Sequence, residues 1–326
     1  MDRISIAEAA FRLTLEDLQE ATNRISNDII ETPLLPFDCS DRKLMLKAEC
    51  LQELGSFKIR AGANAIEQAD EKVLQNGVVT ASAGNFGQGV AKAAQNRGLP
   101  VHVIVPDTAA KVKVEALLDL GAKVTSVSFS DWWEVMMTRS SGLEGFFIHP
   151  VAELEVIIGN AGIGLEIVSK FPGVEVIVVP VGGGGMISGI ALAMKALGKK
   201  PQIIACEIES STPLKSAKTH GEPVKVERGK SWIDGIGSTS VLAEMWPLLD
   251  VLVDDVVVVS HSEAEKALRS LASKAHLVSE GAGAVAMAAA MHPQFCGQNV
   301  VAVISGGNID PKTFSEILDS SYSRDN

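Results

Sequence analysis

Four consecutive glycines that follow an apolar stretch have the spacing of a phosphate-binding turn. Residues 182–185 are all glycine, the apolar run 174–181 precedes them, and a helical pattern begins at Met186. Backbone without Cβ atoms turns sharply and points several N–H groups at one anion, and the following helix adds its N-terminal dipole. A tight turn that merely needs glycine would use one or two. The run of four therefore predicts an anion site.

The same glycine run matches neither of the common nucleotide motifs. No Lys-Ser/Thr pair follows it, so it is not a P-loop, and Ser188 stands where a GxGxxG motif has its third glycine. A nicotinamide-dependent dehydrogenase is therefore disfavoured. The predicted phosphate belongs to some other ligand.

A lysine between apolar residues is a candidate reactive group in addition to the predicted anion site. Most lysines are solvated surface charges, but Lys58 lies between Phe57 and Ile59 in the segment GSFKIR. Apolar surroundings favour the neutral amine, which is a nucleophile. Together with a phosphate cup that lacks nucleotide features, Lys58 predicts a phosphorylated aldehyde cofactor held as a Schiff base.

Two further segments have residues suited to contacts with small ligands. Residues 82–89 read SAGNFGQG, and their small side chains expose N–H groups at a helix start, where a carboxylate could bind. Asn85 offers a neutral donor to a ring hydroxyl, although an N-capping turn alone would account for one Ser or Asn. Ser305 ends an apolar run at the edge where α/β proteins bind ligands, or simply begins a turn there.

The elements that must position these residues alternate between strands and helices. Strands are predicted at 77–80, 101–105, 123–129, 174–181, 202–206, 251–260 and 300–305. Helices are predicted at 88–96, 111–120, 158–170, 186–197, 263–275 and 282–291. This order predicts two α/β units with parallel sheets covered by helices. The polar residues 212–235 are expected to form a long surface excursion.

Composition narrows the class of protein. The 326 residues include 29 Lys+Arg and 40 Asp+Glu, a net charge of −11 that argues against a protein coating nucleic acid. Four cysteines without a CxxC pair support neither a disulfide framework nor a zinc ribbon. The N-terminus has the pattern of an amphipathic helix and not of a signal peptide, and no apolar run is long enough to span a membrane. We expect a cytoplasmic protein without membrane or nucleic-acid partners.

Five segments give the chain a specific resemblance. They are GSFKIR (55–60), SAGNFGQG (82–89), PVGGGGM (180–186), EGAGAVA (280–286) and SGGNID (305–310). In this order they resemble the fold-type II pyridoxal-phosphate enzymes, within them the threonine/serine dehydratase and serine racemase group. The resemblance implies an α/β fold like that of tryptophan synthase β, with parallel or mixed sheets in two domains and pyridoxal 5′-phosphate between them. We expect a larger domain of residues 1–69 plus 150–326, a smaller inserted domain of residues 70–149, and a homodimer or homotetramer.

The resemblance also implies roles for individual residues. Lys58 is the catalytic residue that forms the Schiff base, Phe57 packs against the cofactor ring, and Asn85 bonds the ring hydroxyl. Ser305 faces the pyridine nitrogen. The phosphate is expected on the backbone of Gly182, Gly183, Gly184, Gly185 and Met186. The substrate carboxylate is expected at Ser82, Ala83, Gly84, Asn85 and Phe86.

These roles favour a dehydratase that converts threonine, serine or a relative such as 3-hydroxyaspartate to a 2-oxo acid and ammonia. Ser305 does not keep the ring nitrogen protonated as a carboxylate would, which makes the ring a moderate electron sink and suits β-elimination. Ala83 stands where serine racemases carry a serine that protonates the other face of Cα, and Phe86 replaces a commoner histidine. The alternatives are a racemase or a β-replacement enzyme on the same cofactor and, from another class, a non-catalytic cofactor or amino-acid sensor.

A cation site and three side chains stay open at this point. By resemblance Glu207 matches the first carboxylate of a divalent site, but Pro213 stands near a second ligand's position and has no ligating atom. A monovalent cation on Glu207 and carbonyls is the alternative. His149 is expected to be structural, and Trp132 and Trp133 are expected to pack under the smaller domain rather than to form a substrate wall.

Overall fold

The structure, a computed structural model of the chain, describes residues 5–319. Within that range ten strands form two sheets. They are β1 (Leu34–Phe37), β2 (Lys43–Lys47), β3 (Val78–Ala81), β4 (Val101–Pro106), β5 (Lys123–Val127), β6 (Phe146–Phe147), β7 (Val176–Pro180), β8 (Gln202–Ile208), β9 (Asp255–Val259) and β10 (Asn299–Val303).

The helices of the described residues cover both sheets. They are α1 (Ile6–Phe11), α2 (Leu15–Arg24), α3 (Lys58–Gln68), α4 (Asn85–Asn96), α5 (Lys111–Asp119), α6 (Phe129–Thr138), α7 (Leu154–Gly159), α8 (Ala161–Lys170), α9 (Gly185–Ala196), α10 (Pro213–His220), α11 (Trp246–Leu252), α12 (His261–Lys274), α13 (Gly281–Ala290) and α14 (Pro311–Asp319). No helix among residues 5–319 is long and apolar enough to cross a membrane.

The larger sheet has six strands in the order β1-β2-β10-β7-β8-β9. Only the edge pair β1–β2 is antiparallel, and the other neighbours run parallel, with Val300 opposite Val176 and Val176 opposite Gln202. Every residue of β7 is buried, as expected for a central parallel strand with helices on both faces. Val176 and Val178 pack in the core on one face of the sheet, and Ile177 and Val179 in the core on the other.

The smaller sheet has four parallel strands in the order β5-β4-β3-β6. All four lie within residues 70–149, the range predicted for the smaller domain. Its main core also includes Ile59 and Ile66 of α3, which pack with Val90 of α4 and Val103 of β4. Residues of α3, which precede residue 70, therefore contribute to the core beside the smaller sheet, and the domain bounds stay a prediction.

Some predicted elements differ in the structure. The predicted strand 251–260 is the end of α11 followed by β9, because Pro247 near the start of α11 favours a first helical turn. The predicted helix 158–170 is two helices that meet at Asn160, and the N-terminal helix is likewise two, each with its own capping box. The excursion 212–235 begins with α10 and then continues without helix or strand.

Candidate active site

One cavity of about 560 Å³ lies between the two sheets, at the carboxyl ends of β3, β7 and β10. Crevices at the carboxyl ends of parallel strands are the usual ligand sites of α/β folds. Every residue predicted to bind cofactor or substrate lines it. These are Phe57, Lys58, Ser82, Ala83, Gly84, Asn85, Phe86, Gly182, Gly183, Gly184, Gly185, Met186 and Ser305. The chain thus brings together segments that are far apart in the sequence.

The four glycines form a cup between β7 and α9. Gly184 has φ +93°, a left-handed conformation that glycine adopts without strain. A Cβ on Gly183 would come within 2.5 Å of Val151 Cγ1, so a larger residue there would force the loop or Val151 to move. No side chain caps the N-terminus of the twelve-residue helix α9, which leaves its first N–H groups free to bind an anion from the cavity.

Lys58 begins α3 and points into the cavity. Its Nζ lies 4.9 Å from the ring centre of Phe57 and 5.5 Å from that of Phe86. Burial lowers the pKa of Lys58 to about 8, although the charge of Glu280 acts in the opposite direction. Among the described residues no hydrogen bond or ion pair engages Nζ. An amine of this kind is available for covalent chemistry.

Behind Lys58, a buried ionic cluster fixes the start of α3. Arg60 is fully buried, and its Nε and Nη1 lie 2.8 Å from Glu49 Oε2 and 2.6 Å from Glu166 Oε1. Lys47 pairs with the same two carboxylates. Burial disfavours a charged Glu49, yet the charge of Arg60 holds the pKa of Glu49 below its usual value. The cluster balances two positive and two negative charges and anchors α3 to β2 and α8.

The turn after β3 leads directly into α4. Gly84 is the N-cap of this helix and, like α9, the helix has no side-chain cap. The Gly84 N–H lies 3.3 Å from Ser82 Oγ, which orients the Ser82 hydroxyl beside the turn. Phe86 is buried against the smaller core, while Ala83 presents a methyl group to the cavity. The free N–H groups at this helix start suit the carboxylate of a small substrate.

Glu280 is a site residue to which the sequence analysis gave no role. Asn85 Nδ2 donates to its Oε2 at 2.8 Å, and Ser305 Oγ lies 3.3 Å from its Oε1. Burial raises the pKa of Glu280 to about 7, and the nearby charge of Asp234 acts in the same direction. The sequence feature that could have indicated a role for Glu280 is an acidic residue at the start of a run of Gly and Ala, in EGAGAVA.

The cavity is also lined by residues outside the five sequence motifs. Lys113 of α5 forms an ion pair with Asp234 of the loop after α10, so the pair joins the smaller unit to the larger one beside the cavity. Trp132 both packs on the smaller sheet and lines the cavity, and its indole N–H has no hydrogen-bond partner among the described residues. The packing prediction and the substrate-wall alternative for Trp132 are therefore compatible.

Glu207 lies outside the cavity and caps a helix. Its Oε1 and Oε2 accept N–H bonds from Leu214 and Lys215 at 2.8 and 2.9 Å, at the start of α10. No group of three or more His, Cys, Asp or Glu residues within 5–319 is arranged to hold a metal ion. A cation at Glu207 stays a prediction, and no step below depends on it.

His149 shapes the turn that returns the chain to the larger sheet. Its Nδ1 accepts N–H bonds from Val151 at 3.1 Å and Ala152 at 2.8 Å. Burial lowers the pKa of His149 to about 4, so the ring is neutral and keeps its acceptor. These contacts agree with the structural role expected for His149.

Comparisons with known proteins point in one direction. The profile of a family described as "Pyridoxal-phosphate dependent enzyme" matches residues 25–306. L-threonine ammonia-lyase of Thermotoga maritima is 36% identical over 313 residues, which cover 94% of this chain and 78% of that protein. Serine racemase of Mus musculus is 34% identical, with 93% of each chain covered. The solved structure of maize serine racemase has a TM-score of 0.86 at 29% identity and covers 94% of this chain and 97% of its own.

The residues of the cavity fit the cofactor of that family. The glycine cup leaves helix N–H groups free for a phosphate, and Lys58 Nζ has no competing partner among residues 5–319. The predicted fold class and cofactor are thereby confirmed. Because the relatives include both ammonia-lyases and racemases, they support a dehydratase or a racemase without separating the two. This chain belongs to the pyridoxal-phosphate-dependent enzymes, and its relatives include threonine ammonia-lyases and serine racemases.

Proposed function

We propose that the protein is a dehydratase that converts a β-hydroxy amino acid, such as threonine or serine, to a 2-oxo acid and ammonia. The observation that carries the proposal is the methyl group of Ala83 in the cavity wall, beside the turn expected to bind the substrate carboxylate. A racemase needs a proton donor on each face of the substrate Cα. By resemblance, residue 83 is where racemases place the second donor.

The chain offers a place for each part of the cofactor. The phosphate would bind at the cup of residues 182–186, the ring hydroxyl near Asn85 and the ring nitrogen near Ser305. Lys58 would form the covalent attachment. When bound, the cofactor supplies an electron sink for the pair released when the Cα–H bond breaks.

Lys58 is suited to move the Cα proton. With a pKa of about 8, roughly a tenth of the amine is neutral at pH 7, compared with less than a thousandth at its ordinary pKa of 10.5. The rings of Phe57 and Phe86 give the amine an apolar setting, with their centres 4.9 and 5.5 Å from Nζ. The turn 82–86 would orient the substrate by its carboxylate, so that the Cα proton faces Lys58.

Racemisation is the second candidate because racemases are among the relatives. It would need another group to protonate the face of Cα opposite Lys58. Ser82 is the nearest hydroxyl in sequence, and because its Oγ accepts the Gly84 N–H, its own proton is free to be donated. Ser82 is therefore the group to replace by alanine if racemisation is found.

The test compares products and variants. Holoenzyme is incubated with serine, threonine, 3-hydroxyaspartate and phenylserine, and 2-oxo acid and the chirality of the remaining amino acid are measured. We expect 2-oxo acid from at least one substrate and a single enantiomer in the remainder. Rapid loss of chirality without 2-oxo acid would make the protein a racemase.

Two pairs of variants locate the activity. Lys58→Ala should lose both the lysine-linked absorbance of the cofactor and 2-oxo acid formation, whereas Lys113→Ala, another lysine of the same cavity, should keep the absorbance band. Ala83→Ser should raise the ratio of racemisation to elimination, and Ala83→Gly should not. If the two substitutions at residue 83 behaved alike, the argument from Ala83 would be wrong.

A further inference from the structure

Glu280 lies against two of the side chains expected to contact the cofactor ring. It is 6% exposed and borders the cavity between Asn85 and Ser305. A Cβ on Gly306 would come within 2.7 Å of Glu280 Oε1, so the glycine makes room for this carboxyl group. These contacts and the space at Gly306 hold one carboxyl group in a defined position.

A chain of hydrogen bonds fixes how Asn85 faces Glu280. The carbonyl of Leu54 can only accept, so the group that lies 2.8 Å from it is Asn308 Nδ2. The same Nδ2 donates to Asn85 Oδ1 at 2.9 Å. The amide of Asn85 must therefore turn its Nδ2 toward Glu280, where it donates to Oε2. Oε1 is left to face Ser305.

We propose that Glu280 is a positioning residue which holds a proton on Oε1, donates it in a hydrogen bond to Ser305 Oγ, and so turns the Ser305 hydroxyl proton toward the cofactor's ring nitrogen. The ring nitrogen then accepts a hydrogen bond and stays unprotonated. Both protons take part in hydrogen bonds, and neither is transferred from one group to another. The inference rests on the ring placement given under Proposed function.

Burial and the charge of Asp234 raise the pKa of Glu280, and the hydrogen bonds with Asn85 and Ser305 lower it, so that its pKa is about 7. Below that pH the neutral form of Glu280 prevails. Lys58 acts in the opposite direction, but only while its amine is charged. A further titratable neighbour within residues 5–319 is Cys50, whose own pKa is raised to about 12 mainly by burial, so the thiol is neutral. Above the pKa of Glu280, the Ser305 hydroxyl would turn to the carboxylate and leave the ring nitrogen without a donor.

The test uses holoenzyme loaded with cofactor that carries ¹⁵N at the ring nitrogen, whose NMR shift is followed against pH. In the unsubstituted protein we expect the shift of an unprotonated, hydrogen-bonded nitrogen, with a small step near pH 7 toward a free pyridine. A pyridinium shift below the step would mean that Ser305 accepts from the ring, and would overturn the proposal.

Glu280→Gln gives the sharpest comparison. Because Asn85 needs an acceptor, the Gln Oε1 would face Asn85 and its Nε2 would donate to Ser305 at every pH. The hydrogen-bonded shift should therefore persist and the step should be lost. A step that survives in Glu280→Gln would refute the role of Glu280. Titration of the apoprotein with cofactor establishes that this variant folds and binds.

Two further variants distinguish an error in the role given to Glu280 from an error in the placement of the cofactor ring. Asp234→Asn removes a charge that raises the pKa of Glu280, so the step should move to lower pH. This shift tests the proposal even if Glu280→Gln fails to fold, and an unmoved step would contradict it. Ser305→Ala should abolish the step. If Ser305→Ala leaves it intact, the ring placement is wrong, whereas the dehydratase proposal is judged separately by its 2-oxo acid product.

Discussion

Replacing Gly183 by alanine should weaken cofactor binding through a specific steric conflict. The new Cβ would lie within 2.5 Å of Val151 Cγ1, which is roughly 1 Å closer than an ordinary contact between carbon atoms. The loop can relieve the overlap by moving away from Val151, but that movement displaces the N–H groups that converge on the phosphate. Overpacking of this kind costs about 1–3 kcal/mol.

The expected loss of cofactor affinity depends on which state carries the steric strain. In the apoprotein the loop can relax, whereas binding of the phosphate requires the original loop conformation and therefore restores the strain. The dissociation constant for pyridoxal phosphate should then rise roughly 5- to 140-fold, since each 1.4 kcal/mol is tenfold. It is measured by fluorescence titration of the apoprotein, with the thermal midpoint of the apoprotein recorded beside it.

Gly185→Ala is the matched control in the same cup. A Cβ there would meet nothing closer than 3.9 Å, and alanine suits the first turn of α9. Its affinity for the cofactor should be nearly unchanged. In Gly183→Ala, a second substitution, Val151→Ala, should restore most of the loss. Equal losses in the two glycine variants, or no rescue by Val151→Ala, would refute the steric argument.

Three further expectations come from other parts of the site. Arg60→Met should lower the free energy of unfolding in urea by about 3–5 kcal/mol, because it leaves Lys47 alone to balance the two carboxylates of Glu49 and Glu166. Arg97→Met, which removes surface ion pairs, should lower it by less than about 1 kcal/mol. The rate of cofactor attachment should rise with pH and level off above about 8, because only the neutral Lys58 amine reacts; a midpoint near the ordinary 10.5 would show that burial has no effect. Lys113→Met, which removes the part-exposed ion pair with Asp234 beside the cavity, should raise KM more than it lowers kcat and should weaken the dependence of KM on salt. An unchanged salt dependence would contradict a role of this pair in joining the two units beside the cavity.

The parts of the site that the sequence predicts are those carried by one continuous segment. The glycine cup is readable because strand, turn and helix start follow one another, and Lys58 is readable from its apolar neighbours. Glu280 is different, since its partners Asn85 and Ser305 lie 195 and 25 residues away in the chain. Only the packing of β10 and α4 around it turns a carboxyl group at the start of an Ala-rich helix into a site residue.

The fold shows the same limit. Strand β7 is apolar throughout and β10 is apolar after Asn299, and both are predicted, whereas β2, which lies between β1 and β10, has two lysines and is not predicted. Lys47 is buried there only because Glu49 and Glu166, from other elements, supply its charge partners. Likewise, the apolar residues of 251–260 suit a strand or a helix, and the choice between them depends on Pro247 and on packing against α9.

Helix α3 links the cofactor site to both units. The phosphate cup belongs to the larger sheet, whereas Lys58 begins a helix whose apolar residues share the core of the smaller one. The same helix is tied back to the larger unit, because Arg60 pairs with Glu49 and Glu166. A cofactor bound to the cup and to Lys58 would therefore be attached at both ends to elements that the larger unit holds in place. Exchange of Lys58 for a substrate amine would change the attachment at one end and leave the phosphate where it is.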